Sequence, residues 1–199
     1  MDTVPRKRDW EEVYRNGSVD GLPWYRKELD NDFKDELINR QLSDGEALDL
    51  GTGPGTQALG LSKLGFKVTA VDISKNAIEE AKKLSSDIDF EVDDILNSKL
   101  KKKFDLVVDR GCFHTIEPED RKTYLTNLKK LIKPGGLLFL KCFSDREPET
   151  GFGPYRISES IIKDIFSKDF VIEKIKHSEM RGNRKPNPKA LFAVMKKKL

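Results

Sequence analysis

Two apolar runs in the first half of the chain, residues 47–50 and 68–71, are accompanied by residues suited to holding a nucleoside-like molecule. The first run contains an aspartate and leads into three alternating glycines, and the second run ends in an aspartate: Asp49, Gly51, Gly53, Gly55 and Asp72. Glycine allows a turn to approach a ligand closely, and a carboxylate can accept hydrogen bonds from two ribose hydroxyls. This order of strand, glycine turn, helix, strand and acid predicts a cofactor site at the carboxyl ends of parallel strands.

The glycine spacing indicates which cofactor the turn holds. Counted from Gly51 and Gly53, the dinucleotide fingerprint G-x-G-x-x-G has its third position at Thr56, whereas the third glycine here is Gly55. Asp49 would also repel a pyrophosphate that approached the N-terminus of the following helix. A cofactor with an ammonium group and no phosphate tolerates this carboxylate, and S-adenosylmethionine meets both conditions.

Further contacts to such a cofactor are predicted after the second and third strands. Asp72 accepts from the ribose hydroxyls, while Asp94 and the backbone N–H of Ile95 hold the amino edge of the adenine. The predicted cofactor contacts in this part of the chain are Asp49, Gly51, Thr52, Gly53, Gly55, Asp72, Ile73, Asp93, Asp94, Ile95 and Asp109.

Aromatic residues before the glycine turn form a second group of candidates. Trp10, Tyr14 and Trp24 lie in a segment that is interrupted by glycine and proline and has predicted helices over residues 9–14 and 30–41. One interpretation is core packing. The other is that residues 1–44 form a helical lid, whose three aromatic side chains contact the cofactor.

The end of the fourth strand supplies the candidate catalytic residues. Asp109 could position an ammonium group or accept a proton from the acceptor, and Arg110 could bind an anionic acceptor or lower the pKa of a thiol. The alternative for Arg110 is a structural salt bridge. His114 could act as a base, although packing is the alternative, and Tyr155 and Arg156 could line the acceptor pocket.

The composition restricts the class of protein. Of the 199 residues, 36% are charged, but the net charge is only +3, which is weak for a dedicated nucleic-acid binder. Cys112 and Cys142 are too far apart in sequence for a zinc ribbon or a disulfide scaffold, so we expect packing roles for both and no metal site. The absence of a signal peptide and of a long apolar run predicts a cytoplasmic protein without membrane contact.

Strands and helices alternate along most of the chain. Predicted strands cover residues 47–50, 67–71, 88–92, 104–108, 137–143, 170–176 and 190–195. Predicted helices between them cover residues 56–63, 75–84, 118–131 and 158–166, with Ser74 and Ser158 as N-caps. Since no helix separates the last two strands, they are predicted to be antiparallel. We therefore expect one α/β domain over residues 1–199, with a cofactor-binding core at 45–195.

In this order, several segments resemble the successive motifs of class I S-adenosylmethionine-dependent methyltransferases. These segments are residues 49–55, 71–72, 93–94, 104–108 and 131–136. Three shorter features, at residues 10–14, 23–24 and 109–111, are similar to the thiopurine methyltransferase-like and tellurite-resistance-like branch, which acts on small molecules.

The resemblance implies a three-layer α/β/α Rossmann-like sandwich with a seven-stranded, mostly parallel sheet whose last strand is antiparallel. It implies S-adenosylmethionine as donor, S-adenosylhomocysteine as product, and a small acceptor such as a thiol or a metalloid. One alternative is methylation of RNA or protein, and a less favoured one is a nicotinamide-dependent oxidoreductase. We expect a monomer or homodimer without a nucleic-acid partner.

Overall fold

The computed structural model describes residues 9–15, 18–150 and 153–199. It contains a 7-stranded sheet. The strands are β1 Glu46–Leu50, β2 Lys67–Asp72, β3 Asp89–Val92, β4 Phe104–Arg110, β5 Ile132–Phe143, β6 Phe170–Glu179 and β7 Lys189–Lys197.

The spatial order of the strands is β3-β2-β1-β4-β5-β7-β6. The pairs from β3 to β5 are parallel, and β7 is antiparallel to both of its neighbours, β5 and β6. The predicted mostly parallel sheet with an antiparallel last strand is therefore confirmed. The chain reverses its strand order beside β1, so the ends of β1 and β4 open a crevice where ligands bind in such sheets.

Helices cover both faces of the sheet and make it the middle layer of a sandwich. They are α1 Trp10–Arg15, α2 Asn31–Asn39, α3 Thr56–Ser62, α4 Lys75–Lys82, α5 Arg121–Leu131 and α6 Glu159–Phe166. Ser74 and Ser158 cap α4 and α6 as predicted, because their hydroxyls accept from the N–H groups of Ala77 and Ile161. Among the described residues, no helix has the length and apolar character to span a membrane.

Alternate residues of the strands supply the two halves of the core. Leu48 packs on one face with residues of α5 and α6, while Ala47 packs on the other with residues of α2 and α3. Because the sheet is buried on both faces, its strands are nearly continuous apolar runs. This core fixes the carboxyl ends of the strands, where the candidate residues lie.

Two elements differ in detail from what their sequences suggest. Ile38 follows Phe33 and Leu37 in α2 but is 59% exposed, since it lies one residue beyond the buried stripe of that helix. The fifth strand, predicted over residues 137–143, begins earlier, at Ile132. Its pairing with β4 shifts register between Phe104 and Leu106, which accommodates the proline and glycines inside the strand.

Candidate active site

The glycine turn after β1 is held in place by the aspartate inside that strand. Asp49 Oδ2 accepts from Thr52 Oγ1 at 2.6 Å and from the N–H of Ala58 at 3.0 Å. The turn needs glycine, since Gly51 has a φ of 69° and Gly53 a φ of 52°. Burial raises the pKa of Asp49 to about 7, and the carboxylates of neighbouring aspartates add to this effect.

Asp72 connects the end of β2 to the same turn. Its Oδ2 accepts from the N–H of Gly53 at 2.8 Å and its Oδ1 from the N–H of Ser74 at 2.9 Å. Each carboxylate oxygen retains a second lone pair, so the side chain can still accept from ribose hydroxyls. Ile73 follows with 54% of its surface exposed, an apolar side chain available for contact with a ligand ring.

The end of β3 carries a buried oxygen without a partner. Asp93 Oδ1 accepts from the N–H of Lys99 at 2.8 Å, whereas its Oδ2 is buried and has no hydrogen-bond partner among the described residues. Asp94 accepts from the N–H of Leu96, and Ile95 is buried in the core. An orphaned acceptor of this kind fits an incoming amino group.

Helix α1 and residues 18–30, together called the N-terminal segment below, lie over the glycine turn. Trp24 Nε1 donates to Tyr14 Oη at 3.3 Å. A Cβ on Gly53 would lie 2.5 Å from that hydroxyl, so Tyr14 contacts the turn directly. Trp10 stacks edge-on against Trp24 at a centroid distance of 5.8 Å.

Helix α1 is anchored to the sheet side of the site through Glu11. The Glu11 carboxylate accepts from Ser74 Oγ at 2.7 Å, and its carbonyl accepts from Asn76 Nδ2 at 3.2 Å. These contacts place an acidic side chain at the N-terminus of α4, where the helix dipole stabilises it. Sequence reasoning missed Glu11, because nothing near it in the sequence indicates its partners.

The N-terminal segment and the glycine turn together line a narrow, partly open cavity. Its lining includes several of the predicted residues, namely Tyr14, Trp24, Asp49, Gly51, Thr52, Gly53 and Arg110. Gly55, Asp72, Ile73, Asp93, Asp94 and Ile95 lie along the neighbouring strand ends and do not line this cavity. Trp10 also lies outside its lining and contacts Trp24 instead.

Asp109 does not have the open position that a catalytic residue needs. It is completely buried, and its carboxylate accepts from Tyr124 Oη at 2.6 Å and from the N–H groups of Gly111, Cys112 and Phe113. Burial raises its pKa to about 6. The side chain shapes the turn after β4, so the predicted contact with substrate or cofactor does not fit its position.

Cys112, in that turn, lies against the glycine turn. A Cβ on Gly51 would be 2.7 Å from the Cys112 Cβ, so the two turns pack too closely for any other residue at position 51. Burial and the surrounding aspartates raise the pKa of the Cys112 thiol well above its ordinary value. Cys142 is completely buried in the core, as a small apolar residue would be.

Arg110 forms the structural salt bridge that was the alternative to a catalytic role. Its Nε lies 2.9 Å from Asp30 Oδ2, its Nη1 donates to the carbonyl of Trp24 at 3.1 Å, and its Nη2 donates to the carbonyl of Arg181. Only 7% of the side chain is exposed. The guanidinium lines the cavity but is already occupied by these partners.

His114, Tyr155 and Arg156 come together on the β5 side of the site. His114 is buried, and its Nδ1 accepts from the N–H of Phe143 at 2.8 Å. Burial lowers its pKa to about 3, and the positive charges of Arg156 and Arg110 act in the same direction. The Tyr155 N–H donates to the His114 carbonyl, and the Arg156 guanidinium lies over the Phe143 ring at 5.3 Å. His114 is therefore neutral and packed.

A buried ion cluster beneath the N-terminal segment was missed by the sequence analysis. Lys141 Nζ lies 2.6 Å from Asp30 Oδ1 and 2.7 Å from Asp32 Oδ2, and only 2% of the Lys141 side chain is exposed. The available signal was a lysine inside an otherwise apolar strand. Such a residue needs a buried counter-charge, but its sequence position does not reveal which one.

Known proteins resemble this chain in both sequence and structure. A family described as "Methyltransferase domain" matches residues 47–136. The chain is 37% identical over 103 residues to an uncharacterized methyltransferase of Schizosaccharomyces pombe. This match covers 49% of this chain and 71% of that protein. It is 29% identical over 157 residues to probable thiol methyltransferase 2 of Arabidopsis thaliana. That match covers 76% of this chain and 68% of the relative.

Among solved structures, one from work on the conversion of a disulfide bond into a thioacetal group during echinomycin biosynthesis is 28% identical and has a TM-score of 0.81. The match covers 95% of this chain and 90% of that chain. These matches confirm the predicted resemblance, and they do not favour the oxidoreductase alternative. The chain belongs to the S-adenosylmethionine-dependent methyltransferases.

Proposed function

We propose that this methyltransferase acts on a small, soft nucleophile that reaches the site as an anion, with a thiolate as the leading candidate and metalloid anions as the related class. The observation that carries the proposal is the state of the two predicted bases. The oxygens of Asp109 accept from four donors, and His114 is neutral with an accepting Nδ1. Neither is available to remove a proton from a neutral amine or hydroxyl.

The charges on this side of the site favour an anionic acceptor. Arg110 and Arg156 both lie near enough to His114 to lower its pKa. The same positive field stabilises a thiolate and lowers the pKa of an acceptor thiol. Asp145 is a carboxylate in this region, but it is exposed and accepts from Ser144 Oγ.

The described residues fit the donor at the opposite side. The carboxylate of Asp49 faces the cavity and suits an ammonium group, Asp72 suits the ribose hydroxyls, and the orphaned Asp93 oxygen suits the adenine amino group. The donor supplies a methyl carbon on a sulfonium, so its transfer to a thiolate yields a thioether and S-adenosylhomocysteine. Tyr14 and Trp24 line the same cavity, where their rings would shield the reacting atoms from water.

The protein contributes alignment more than acid–base chemistry. Fixing two reactants in position can supply roughly 7–11 kcal/mol of the barrier. The reaction of a soft anion with a sulfonium needs little catalysis beyond this alignment. The name of the Arabidopsis relative, a probable thiol methyltransferase, supports the same acceptor class.

A transfer assay with radiolabelled S-adenosylmethionine tests the proposal. The panel compares thiols with their matched alcohols and amines, and includes metalloid oxyanions and bulk RNA. We expect methylation of thiols, with a pH dependence that follows the ionisation of each thiol. Faster methylation of a matched alcohol or amine, or of RNA, would contradict the proposal.

We also retain the prediction of a monomer or homodimer in a reducing compartment. Sedimentation equilibrium with and without donor measures the oligomeric state.

A further inference from the structure

The loop between β6 and β7, residues 180–188, is bound to the N-terminal segment along its first half. The N–H of Arg184 donates to the carbonyl of Pro23 at 3.1 Å, and Asn183 Nδ2 donates to the carbonyl of Leu22 at 3.0 Å. A Cβ on Gly182 would lie 2.5 Å from the Pro23 carbonyl oxygen. Three consecutive residues of this β6–β7 loop therefore contact one short stretch of the N-terminal segment.

Arg110 connects both of these pieces to the sheet. One guanidinium, at the end of β4, binds Asp30 and the carbonyl of Trp24 in the N-terminal segment and the carbonyl of Arg181 in the β6–β7 loop. Arginine suits this position because its planar group carries five donors in fixed directions. A lysine has the charge but cannot reach all three partners in this geometry.

The connected pieces form one wall of the cavity. Tyr14 and Trp24 line the cavity, and the Tyr14 hydroxyl contacts the glycine turn. A ligand that contacts Gly51 and Asp49 must displace these rings or wait until they move. Because Pro23 and Trp24 are held by the β6–β7 loop and Arg110, movement of the rings requires those contacts to break.

We propose that the β6–β7 loop and the N-terminal segment open as one cover, and that Arg110 and Asn183 are positioning residues that set how fast the cofactor enters and its product leaves. Arg110 acts through the cover and not by touching the acceptor. Asn183 and Arg184 bind the N-terminal segment, so the first half of this basic loop belongs to the cover.

The rate at which S-adenosylhomocysteine dissociates tests this proposal on the full chain. The chain has 2 tryptophans, Trp10 and Trp24, and both belong to the N-terminal segment, so stopped-flow tryptophan fluorescence reports on the cover. Asn183→Ala removes a contact with the cover. Asn187→Ala is its matched control, because Asn187 Nδ2 donates to Glu179 Oε2 at 3.0 Å within the same hairpin.

We expect Asn183→Ala to speed dissociation about threefold to tenfold for each hydrogen bond lost, with Asn187→Ala within about twofold of the unmodified protein. Gly182→Ala should act in the same direction by wedging the loop away from Pro23. Its control is Gly21→Ala, since a Cβ on Gly21 has nothing within 4 Å. Equal dissociation rates in Asn183→Ala and Asn187→Ala would overturn the proposal.

Arg110→Lys separates positioning from catalysis. We expect faster product dissociation and a raised KM for the donor, with a smaller change in the rate of a single turnover at saturating donor. Arg40→Met is the control, because Arg40 forms ion pairs with Glu36 and Glu173 away from the cover. A loss confined to the single-turnover rate would overturn the positioning role.

Hydrogen exchange without any ligand provides a second measurement. The Tyr25 N–H donates to the Leu22 carbonyl at 3.0 Å inside the cover, so it should exchange faster in Asn183→Ala and in Gly182→Ala than in their controls. Unchanged exchange in both variants would count against the proposal, and melting temperatures identify any variant that fails to fold. No acceptor is present in these experiments, so their outcome is independent of the thiol proposal.

Discussion

The two halves of the carboxyl edge of the sheet differ in charge. On the donor side, the ends of β1, β2 and β3 carry four carboxylates: Asp49, Asp72, Asp93 and Asp94. On the acceptor side, the ends of β4 and β5 and the β6–β7 loop carry five guanidinium groups, Arg110, Arg146, Arg156, Arg181 and Arg184, beside the carboxylates of Asp109, Asp145 and Glu147. A cationic donor and an anionic acceptor would each meet charge of the opposite sign.

The buried carboxylates of the two sides also differ in how well their charged forms are stabilised. Burial raises the pKa of both Asp49 and Asp72, so their charged forms are destabilised until a cation arrives. On the acceptor side, Asp30 is paired with Arg110 and Lys141, and its pKa is lowered despite burial. The donor side is therefore prepared for a ligand, whereas the ion pairs of the acceptor side hold the protein together.

The largest expected effect comes from breaking the acceptor-side ion cluster. Lys141→Met leaves the buried Asp30 carboxylate with fewer counter-charges and should lower the free energy of unfolding by about 3–5 kcal/mol. Urea unfolding measures the loss. Lys133→Met is the control, because Lys133 pairs with Asp105 at a site 41% exposed and should cost under about 1 kcal/mol. Equal losses in the two variants would show that the cluster has no special role.

The next largest effect should appear on the donor side. Asp72→Ala removes a buried acceptor and should weaken donor binding by about 1–3 kcal/mol, measured by calorimetry. Asp72→Asn keeps one oxygen for the turn and separates the loss of ribose contacts from the loss of the turn. Asp145→Ala, on the acceptor side, should leave donor affinity unchanged. If Asp72→Ala binds the donor normally, the acid does not hold the ribose.

Donor binding should also depend on pH through Asp49. Because the pKa of Asp49 is about 7 in the folded protein and about 3.8 in an unfolded chain, the folded protein binds more protons between these values, and its stability falls as pH rises through that window. A bound ammonium favours the carboxylate, so donor affinity should rise up to about tenfold from pH 6 to pH 8. Calorimetry in buffers of different ionisation enthalpy should detect proton release near pH 6.

Asp49→Asn tests the origin of that dependence. The amide oxygen can still accept from Thr52 and Ala58, so the turn should persist while the pH dependence disappears. If the pH dependence of donor affinity is unchanged in Asp49→Asn, a different titrating group produces it.

The smallest effect is expected for His114. In His114→Asn the amide oxygen can replace Nδ1 as the acceptor for the Phe143 N–H, so the stability should fall by only about 1 kcal/mol. The pH profile of methyl transfer should keep its shape, since the imidazole is neutral across the working range. Loss of an acid limb near pH 6–7 would identify His114 as a base and contradict the anionic-acceptor proposal.

The position of the donor-side candidates at the strand ends could be predicted from the sequence, because these residues follow directly after strands and keep short, regular spacings. The glycine turn, Asp72 and the acids after β3 needed only local patterns, and the antiparallel last strand followed from the missing helix. The acceptor side depends on contacts between distant residues. Asp30 and Lys141 are 111 residues apart in sequence, and nothing local indicates that they meet.

Residue type was also a poor guide to role on the acceptor side. Arg110 and His114 have the chemistry of catalytic groups, yet their partners are backbone groups and Asp30, which only the folded chain brings close. The β6–β7 loop contains several basic residues, but Arg184 binds Glu147 and its own N–H binds Pro23. Charge in a sequence does not distinguish a group that binds a ligand from one that closes the fold.

The close contact between Cys112 and Gly51 has a consequence for chemical self-protection. An enzyme that alkylates thiolates stores an alkylating agent beside its own cysteine. Because burial and the surrounding aspartates raise the pKa of the Cys112 thiol, this sulfur would stay protonated, and so a poor nucleophile, at a pH where a thiol acceptor is ionised. The carboxylates proposed to attract the donor would thus also keep the neighbouring thiol unreactive.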